Sequence, residues 1–550
     1  MKIALAQLNY HIGNFEHNTR KIKQAIGEAR ERGADLILFP ELAVCGYSPQ
    51  DLLDFEEFIG KCSAAIDEIA AECRGIAAIV GSPSRNMEKG KSLFNSAFFL
   101  ADGEIKQVTS KALLPTYDVF DEYRYFEPDS SPKIIEYKGF RFALTICEDL
   151  WNLGDHPLYK ACPMDELVKG APDIMLNIAA SPFSYEQQAQ RRHILNQNVS
   201  KYRLPLFYVN HVGAHTGLVF DGGSLVIGAD GQLLDELSYF KEDLKIYTIS
   251  GERGKLGVSR TESSAANLPA SKIEFIYQAL VLGIRDYFGK MGFKNAILGL
   301  SGGIDSAVVL CLAAEALGAG NVRALLLPSQ FSSDHSIKDA VDLAKNLGVN
   351  YDTIEIEPVF KQYEAALTPF FSGLPFNVAE ENLQARVRGV LLMAMSNKFG
   401  DILLNTTNKS EMAVGYGTLY GDMCGGLSVI GDVYKTDVYN LARYINKDAE
   451  LIPENSIVKP PSAELKPGQK DSDSLPDYDT LDKILYRYIE ENKSTREIIE
   501  MGFDEAVVKK AARLVSMNEY KRFQAAPVIR VSPKAFGNGR RMPIVARYEV

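Results

Sequence analysis

The six residues Ser301-Gly302-Gly303-Ile304-Asp305-Ser306 lie between an apolar run, Ala296–Leu300, and a helical pattern, Ala307–Leu317. The run predicts a buried strand, and the two adjacent glycines let the loop backbone adopt positive φ and approach a ligand closely. The loop amides and the amino end of the helix would then point at an anion. Asp305 could hold a hard cation beside phosphate groups. The alternative is a tight structural βα turn, and the Walker lysine pattern is absent.

Strand and helix patterns alternate around this loop. A helical pattern over Lys272–Phe288 precedes it, and a strand at Ala324–Leu327 and a helix at Ile337–Leu347 follow it. This βαβα order predicts a parallel sheet with a nucleotide site at the carboxyl ends of its strands. Leu465–Leu475 is polar, and we predict a loop there.

The amino-terminal half has many short apolar runs and fewer helical patterns, which predicts a layered α/β fold. We predict a helix at Asn18–Arg32 and strands at Lys2–Leu8, Asp35–Phe39, Ile76–Val80, Ser96–Leu100, Phe140–Ile146, Ile174–Ile178, Leu206–Asn210 and Gly223–Ile227. Gly251–Ser271 has little apolar periodicity and is interpreted as a linker. The predicted organisation is therefore a domain at 1–255, a linker at 256–271 and a domain at 272–550.

Length and composition agree with two sizeable domains. The chain has 550 residues, too many for one ordinary core at about 150 residues per domain. The apolar fraction of 46% and the charged fraction of 24% are typical of globular chains and argue against disorder, collagen and coiled coil. Lys and Arg number 60 and Asp and Glu 71, so the net charge of −11 argues against a nucleic-acid partner.

Neither a membrane nor a secretory segment is predicted. The longest stretch that we find without a charged side chain, between Arg203 and Asp221, contains Pro205 and Asn210 and is not a membrane span. The amino terminus has a strand pattern and lacks a signal-peptide core. The seven cysteines are scattered with no CxxC pair, so we expect a reduced, cytoplasmic protein without zinc or disulfides.

The glycine loop resembles the pyrophosphate-binding loop of the N-type ATP pyrophosphatases, which cleave ATP to AMP and pyrophosphate. Several further segments resemble the NAD synthetases of that group. They are Pro328–Ser333, Glu381–Gly389, Thr406–Glu411, Gly431–Thr436 and Lys521-Arg522. The resemblance covers most of 272–550 and implies a parallel-sheet, Rossmann-like domain.

That resemblance implies three ligands: ATP, Mg²⁺ and deamido-NAD. The residues implied to bind ATP are Gly299, Leu300, Ser301, Gly302, Gly303, Ile304, Asp305, Ser306, Thr406 and Lys435. Asp305 and Glu411 are implied to bind Mg²⁺. Asn382, Glu411 and Lys521 are implied to contact deamido-NAD.

Three segments of the first half supply a carboxylate, an amine and a thiol. They contain Glu41 at the end of a strand, Lys111 at the start of a loop and Cys147 at the end of another strand. A thiol attacks an amide as its thiolate, a carboxylate can take its proton and pass it to leaving ammonia, and a fixed cation stabilises the oxyanion. The alternative is three ordinary residues at strand ends.

The same segments resemble the Glu–Lys–Cys triad of the nitrilase superfamily. The resemblance covers about residues 1–255 and implies a four-layer αββα sandwich. It also implies that Glu41 is the base, Lys111 the oxyanion stabiliser and Cys147 the nucleophile. Glu122 corresponds to the second carboxylate of the family, which orients the lysine.

Both halves together resemble the glutamine-dependent NAD synthetases. The implied glutamine pocket uses Tyr117, Ser181 and Gln187, although relatives often carry lysine where this chain has Gln187. His215 lies in a segment that departs from the usual form of the family, and we assign it no catalytic role.

The resulting hypothesis is a two-site ligase. Glutamine is hydrolysed in the first domain, and its ammonia amidates deamido-NAD in the second with conversion of ATP to AMP and pyrophosphate. The expected partners are these small molecules, and we expect a homo-oligomer. Three rival readings are a plain amidase with a regulatory domain, a nucleotide sensor without turnover, and another ATP pyrophosphatase ligase such as one acting on GMP precursors. Thr406–Glu411 argues against the first two, and the nitrilase-like half disfavours the third.

Overall fold

The computed structural model describes residues 1–129, 131–154, 157–251, 256–261, 268–466, 468–469, 471 and 475–547. The chain forms two compact units, Met1–Ala270 and Ser271–Val550. Along the described chain, no helix combines the length and apolar character needed to cross a bilayer.

The first unit is built from two large sheets. Its strands are β1 (Lys2–Gln7), β2 (Leu36–Leu38), β3 (Ala77–Arg85), β4 (Leu93–Ala101), β5 (Glu104–Ser110), β6 (Ile135–Tyr137), β7 (Phe140–Ile146), β8 (Ile174–Ala179), β9 (Leu206–Asn210), β10 (Val212–His215), β11 (Leu218–Asp221), β12 (Leu225–Ile227), β13 (Leu233–Glu236), β14 (Asp243–Ser250) and β15 (Gly257–Arg260). Its helices are α1 (Phe15–Glu31), α2 (Glu56–Glu72), α3 (Pro163–Leu167) and α4 (Gln187–Tyr202).

The two sheets pack face to face. The seven-stranded sheet has the order β15-β14-β1-β2-β3-β4-β5, and the six-stranded sheet has the order β13-β12-β9-β8-β7-β6. Because side chains alternate along a strand, Ile3 and Leu5 join the core with Phe142 and Leu144 of the other sheet. Ala4 lies on the opposite face, in the core formed with α1 and α2.

Helices complete the outer layers. Ile22 and Ile26 of α1 and Ile66 and Ile69 of α2 are buried on the seven-stranded sheet, as the i, i+3, i+4 spacing of a helix allows. Helices α3 and α4 belong to the other sheet's core. The predicted αββα sandwich is confirmed, but α2 was not predicted, although its apolar spacing was readable in the sequence.

Several boundaries of the first unit differ from expectation; β3, for example, continues to Arg85 beyond the predicted Val80. Helix α1 begins at Phe15 rather than Asn18, because the Asn14 side chain caps it by accepting from the amide of His17 at 3.2 Å. The predicted linker 256–271 contains β15, which pairs antiparallel with β14, so its first part is an edge strand. Residues 252–255 and 262–267 lie outside the described residues.

The second unit contains one five-stranded sheet. Its strands are β16 (Ala296–Gly299), β17 (Val322–Leu326), β18 (Asn350–Thr353), β19 (Ile402–Asn405) and β20 (Leu427–Ser428). Its helices are α5 (Lys272–Met291), α6 (Ile304–Leu317), α7 (Asp334–Leu347), α8 (Glu357–Phe371), α9 (Val378–Phe399), α10 (Lys409–Val414), α11 (Lys435–Ile445), α12 (Glu454–Val458), α13 (Tyr478–Leu485), α14 (Thr495–Glu500), α15 (Glu505–Met517) and α16 (Glu519–Arg522).

The sheet order β18-β17-β16-β19-β20 is parallel at every pairing, which confirms the predicted parallel sheet. The chain order reverses between β16 and β19, and ligands bind at such a switch point, beyond the carboxyl ends of the strands. Helix α6 starts at Ile304, three residues before the predicted Ala307, because Gly303 is the last extended residue. Asp305 and Ser306 therefore lie in the first helical turn. Of the predicted loop 465–475, residues 467, 470 and 472–474 lie outside the described residues.

Candidate active sites

Cys147 directly follows β7 and begins a short 3₁₀ turn, Cys147–Leu150. Its φ of 43° lies in the left-handed region, which non-glycine residues rarely adopt and which is frequent at functional sites. The side chain is buried. Burial raises the pKa of the Cys147 thiol well above its usual value, Glu41 raises it further and Lys111 opposes the rise. A base must therefore take the proton before the sulfur can attack.

Lys111 lies between two carboxylates. Its Nζ donates to Glu41 Oε1 at 2.6 Å and to Glu122 Oε1 and Oε2 at 2.8 and 2.9 Å. The lysine and Glu41 are fully buried. Burial alone lowers the pKa of Lys111, but the charges of Glu122 and Glu41 outweigh it and hold the pKa well above its usual value. The site therefore keeps a permanent cation.

Glu41 is held by groups from several elements. Its Oε1 also accepts from Asn95 Nδ2 at 2.7 Å, and its Oε2 accepts from the amide of Ala180 at 3.0 Å. His211 Nε2 lies 2.5 Å from the carbonyl oxygen of Glu41, so that nitrogen carries the proton. A Cβ at Gly81 would lie 2.4 Å from the amide nitrogen of Leu42, so only glycine lets the Glu41 loop approach β3.

Glu122 is the second carboxylate around Lys111. Tyr47 donates its hydroxyl to Glu122 Oε1 at 2.9 Å, and Asn95 Nδ2 lies 3.2 Å from Oε2. Burial raises the pKa of Glu122, and Lys111 opposes the rise. The structure thus brings together all four residues predicted for amide cleavage: Glu41, Lys111, Cys147 and Glu122.

Of the three predicted glutamine-binding residues, Ser181 and Gln187 contact each other, and Tyr117 contacts Glu148. The hydroxyl of Tyr117 donates to both oxygens of Glu148 at 2.9 Å, and burial raises the pKa of Glu148 to about 7. Gln187 Nε2 donates to Ser181 Oγ at 3.3 Å. Asn210 fixes the backbone of Ser181, because its Oδ1 accepts from the Ser181 amide at 2.8 Å and its Nδ2 donates to the Ser181 carbonyl at 3.1 Å.

Sequence reasoning missed several polar groups of this site. Asn95 and Tyr47 lie far from the motifs in the chain, and no local pattern marks them. Glu148 and Asp149 directly follow Cys147, and their position beside the nucleophile was a usable signal. His215, assigned no catalytic role, packs its ring against Phe220 with centroids 5.8 Å apart.

The second unit has a cavity of about 310 Å³ at the carboxyl ends of β16, β17 and β19. Nine of the ten residues predicted to bind ATP line it: Gly299, Leu300, Ser301, Gly303, Ile304, Asp305, Ser306, Thr406 and Lys435. Glu411 also lines it. The cavity has the size and position of a nucleotide site.

Gly302 shapes the loop rather than lining the cavity. Its φ is +79°, and a Cβ there would lie 2.1 Å from the carbonyl oxygen of Ser336. Ser301 Oγ accepts from the amide of Gly303 at 3.2 Å and lies 3.1 Å from Ser306 Oγ. These contacts turn the loop into the amino end of α6, where anions are stabilised.

Asn408 connects Asp305 and Glu411, two of the acidic residues that line the cavity. Its Nδ2 donates to Asp305 Oδ1 at 2.9 Å, and its Oδ1 caps α10 by accepting from the amide of Glu411 at 3.0 Å. Lys435 donates its ammonium to Asp305 Oδ2 and, at 3.2 Å, to Glu411 Oε1. Burial raises the pKa of Glu411 to about 8, although Lys435 opposes the rise. Burial lowers the pKa of Lys435, but the two carboxylates outweigh it and raise that pKa.

These donors fit a magnesium ion. Asp305 and Glu411 both face the cavity, and the ammonium of Lys435 already lies where a cation contacts both carboxylates. Across the described residues no group of three or more His, Cys, Asp and Glu side chains forms a self-sufficient metal site. Magnesium usually takes one or two protein carboxylates and completes its shell with water and substrate phosphates, so two suffice.

The other predicted deamido-NAD residues are bonded within the protein. Asn382 Oδ1 accepts from Thr418 Oγ1 at 2.7 Å. Lys521 Nζ donates to the carbonyl oxygens of Gly415 and Gly417, both at 2.8 Å. Neither Asn382 nor Lys521 lines the cavity of about 310 Å³.

A buried charge cluster anchors the first turn of α10. Lys409 is fully buried and its ammonium lies 2.9 Å from Asp432 Oδ1, contacts Glu490 and donates to Ser532 Oγ at 2.6 Å. Asp432 Oδ2 accepts from the amides of Val531 and Ser532 at 2.8 and 2.7 Å. The segment near the carboxyl terminus thereby fixes the helix that carries Glu411.

Comparison with known families matches each unit to one domain. Residues 2–255 match the carbon-nitrogen hydrolase family, and residues 276–525 match the NAD synthase family. Together with the two sites, these domains define a class of two-unit ligases.

Relatives that match over the full length show which kind of ligase this chain resembles. The chain is 48% identical over 554 residues to a glutamine-dependent NAD(+) synthetase of Synechocystis sp., covering 99% of each chain, and 43% identical to one of Acinetobacter baylyi, covering 99% of this chain and 98% of the relative. The solved synthetase of Acinetobacter baumannii in complex with ADP is 41% identical with a TM-score of 0.78, covering 99% of this chain and 98% of that one. The chain belongs to the glutamine-dependent NAD(+) synthetases, ligases that form NAD by an amidation step using glutamine.

Proposed function

We propose that Cys147 releases ammonia from glutamine in the first unit and that the second unit uses it to amidate deamido-NAD at the expense of ATP. The observation that carries this proposal is the buried Lys111 ammonium, held at 2.6–2.9 Å by Glu41 and Glu122 beside Cys147. A fixed cation and a base next to a thiol are the groups that amide cleavage requires.

Glutamine hydrolysis begins when Glu41 takes the proton of the Cys147 thiol and the sulfur attacks the side-chain amide carbon. Lys111 stabilises the oxyanion of the tetrahedral intermediate. The C–N bond then breaks, and protonated Glu41 returns its proton to the leaving nitrogen, which departs as ammonia. Water attacks the resulting thioester, glutamate leaves and the thiol is restored.

The pKa values support these assignments. The raised pKa of Lys111 keeps it cationic throughout the cycle, and the raised pKa of Cys147 keeps the thiol neutral until Glu41 acts. The proton moves between two groups of the same buried site, so its net charge does not change. Tyr117, Ser181 and Gln187 are assigned to glutamine binding, with Glu148 as the carboxylate that Tyr117 positions.

In the second unit, the carboxylate of deamido-NAD attacks the α-phosphorus of ATP and pyrophosphate leaves. Ammonia then attacks the acyl adenylate, giving NAD and AMP. The loop from Gly299 to Ser306 cradles the phosphates with its amides, Thr406 also lines the cavity and Lys435 contributes positive charge. A relative of this chain holds ADP, which supports a nucleotide site.

Asp305 and Glu411 would hold a magnesium ion, which would offset charge on the leaving pyrophosphate. Asn408 keeps the two carboxylates in register, and Lys435 limits their repulsion. Asn382, Glu411 and Lys521 are assigned to deamido-NAD.

Paired assays test the proposal. Purified protein receives ATP, Mg²⁺ and deamido-NAD with either glutamine or ammonium, and NAD, AMP and pyrophosphate are measured. Cys147→Ala should abolish glutamine-driven synthesis and keep ammonium-driven synthesis, whereas Asp305→Ala should damage both. Glutamine use that survives Cys147→Ala would disprove the nucleophile assignment.

Exposed apolar side chains on α8, on α9 and in the loop between them support a homo-oligomer with a second copy of the chain. Phe370, Leu374 and Val390 are 79%, 67% and 56% exposed. Patches of this kind mark interaction sites. Leu374→Glu with Val390→Glu should lower the mass measured by light scattering, whereas Val458→Glu, at a similarly exposed site on α12, should leave it unchanged.

We also assign the protein to the cytoplasm. All seven cysteines are free thiols, as expected in a reducing compartment. Cell fractionation with detection of the protein tests this assignment, and enrichment in the periplasm or membranes would contradict it.

A further inference from the structure

Asp149 accepts three backbone hydrogen bonds from both sides of the amide-cleaving site. Its Oδ1 accepts from the amides of Ala112 and Leu113 at 3.1 and 2.9 Å. Its Oδ2 accepts from the amide of Ile146 at 3.0 Å. The side chain is buried. Asp149 therefore binds the peptide groups that directly follow Lys111 and directly precede Cys147.

These peptide groups are attached to different sheets: Ile146 is the last residue of β7, and Ala112 and Leu113 lie in the loop that follows β5. Lys111 follows β5 of the seven-stranded sheet, and Cys147 follows β7 of the six-stranded sheet. Contacts between the two layers are mostly apolar and do not fix a register as a strand ladder does. A carboxylate with one oxygen on each segment supplies such a constraint.

We propose that Asp149 is the positioning residue that sets the place of the Lys111 ammonium relative to the Cys147 sulfur. The amide of Lys111 is fixed on its other side, donating to the carbonyl of Asn95 at 2.8 Å, so Asp149 completes its placement. This inference rests on the proposed roles of Lys111 and Cys147. Asp149 touches no reacting atom, and it acts through the placement of the segments that carry Lys111 and Cys147.

Asp149→Asn keeps the shape of the side chain but removes one of its two acceptor oxygens. Asparagine has nearly the same volume but one acceptor oxygen in place of two, so its amide can satisfy either the Ala112–Leu113 pair or Ile146. The backbone amide that loses its acceptor then either moves or faces the N–H group of the asparagine. Misplacement of reacting groups by about 1 Å can slow a reaction about 100-fold, so we expect kcat for glutamine hydrolysis to fall by about that factor. KM for glutamine should stay near wild type.

Asp173 provides a matched control. It is also buried and its Oδ2 accepts from the amide of Arg141 at 2.8 Å, beside the opposite end of β7 from Cys147. Asp173→Asn should leave kcat for glutamine unchanged. Ammonium-driven NAD synthesis should be kept by both variants, which shows that the second unit is intact. Thermal unfolding checks that the first unit of each variant is folded.

Asp149→Glu supplies a second test. It keeps two anionic oxygens but moves them by one methylene, so its kcat should lie between those of wild type and Asp149→Asn. If Asp149→Asn does not fold, a reduced kcat with an unchanged KM in Asp149→Glu supports the proposal.

Four results overturn the inference. Two are a wild-type kcat for glutamine hydrolysis in Asp149→Asn or in Asp149→Glu. The others are a kcat in Asp149→Glu as low as that of Asp149→Asn, or a loss of kcat in Asp173→Asn as large as that in Asp149→Asn. Cys147→Ala in the same assay tests the proposed function separately. If it still hydrolyses glutamine, the proposed function fails whatever Asp149 does.

Discussion

Replacing Lys111 by methionine removes the positive charge that separates two buried carboxylates and keeps much of the side-chain volume. The ammonium lies 2.6 Å from Glu41 and 2.8 Å from Glu122. At an effective dielectric constant of about 20, each contact corresponds to about 6 kcal/mol of Coulomb energy, which the cost of burying the charges largely offsets. Breaking a buried pair by removing one partner typically destabilises by about 3–5 kcal/mol.

The catalytic loss should exceed the loss of oxyanion stabilisation alone. Losing one preorganised oxyanion donor slows a reaction about 100- to 1000-fold. In Lys111→Met, the cation that opposes the rise in the pKa of the Cys147 thiol is also lost, so the thiolate becomes harder to form. We therefore expect kcat for glutamine to fall at least about 1000-fold, with ammonium-driven synthesis kept.

The stability change should depend on pH with a definite sign. Burial raises the pKa of Glu122, and Lys111 opposes the rise, so the variant's Glu122 pKa should rise further. A carboxyl group whose pKa is higher in the folded state binds more protons there, so stability is present at low pH and falls as pH rises through the folded pKa. The deficit of the variant in free energy of unfolding should therefore be smaller at acid pH.

Kinetics and urea unfolding at several pH values measure both effects. Lys138→Met is the matched control, because Lys138 pairs with Asp35 while about half exposed, and such pairs contribute about 0–1 kcal/mol. A Lys111→Met enzyme within tenfold of the wild-type kcat, or with a stability deficit that grows at acid pH, would refute the reasoning.

Two further substitutions test backbone and cavity geometry. Gly81→Ala places a Cβ 2.4 Å from the amide nitrogen of Leu42, so it should lower the free energy of unfolding by about 1–3 kcal/mol and slow glutamine hydrolysis. Gly60→Ala, where a Cβ meets nothing within 4 Å, should be stabilising or neutral, and equal effects of the two variants would contradict the packing argument. Asn408→Asp keeps the cap of α10 but sets a carboxylate 2.9 Å from Asp305, so NAD synthesis should slow with glutamine and with ammonium while thermal stability changes little. Unchanged NAD synthesis with ammonium would contradict the role of Asn408 as a bridge between Asp305 and Glu411.

The sequence predicted features that depend on local periodicity and on short motifs. The parallel sheet around the glycine loop and the αββα layers followed from runs such as Phe140–Ile146, which is a strand over the same residues. Helix ends were less accurate where a cap decided them, as at Asn14, and β15 was missed because an exposed edge strand has no apolar pattern.

Some residues of the amide-cleaving site could likewise be predicted from short motifs, and others could not. Glu41, Lys111 and Cys147 stand in recognisable segments and meet in the structure. Asn95 was missed because its role depends on long-range hydrogen bonds between segments that only the fold brings together. Asp149 lies two residues after Cys147, which was a usable signal, but its contacts to Ala112 and Leu113 are equally long-range. A single sequence does not encode those distances in any local pattern.

The anchoring of Lys409 has a consequence for synthesis of the chain on the ribosome. The Asp432 carboxylate accepts from the amides of Val531 and Ser532. Until these two residues emerge from the ribosome, α10, which bears Glu411, would pack beside an Asp432 charge that lacks two of its hydrogen bonds. Burying such a group without its donors is costly. We therefore expect the nucleotide-binding half to mature only after Val531 and Ser532 have left the ribosome, while the thiol-bearing half, whose described strands end by Arg260, can fold earlier in translation.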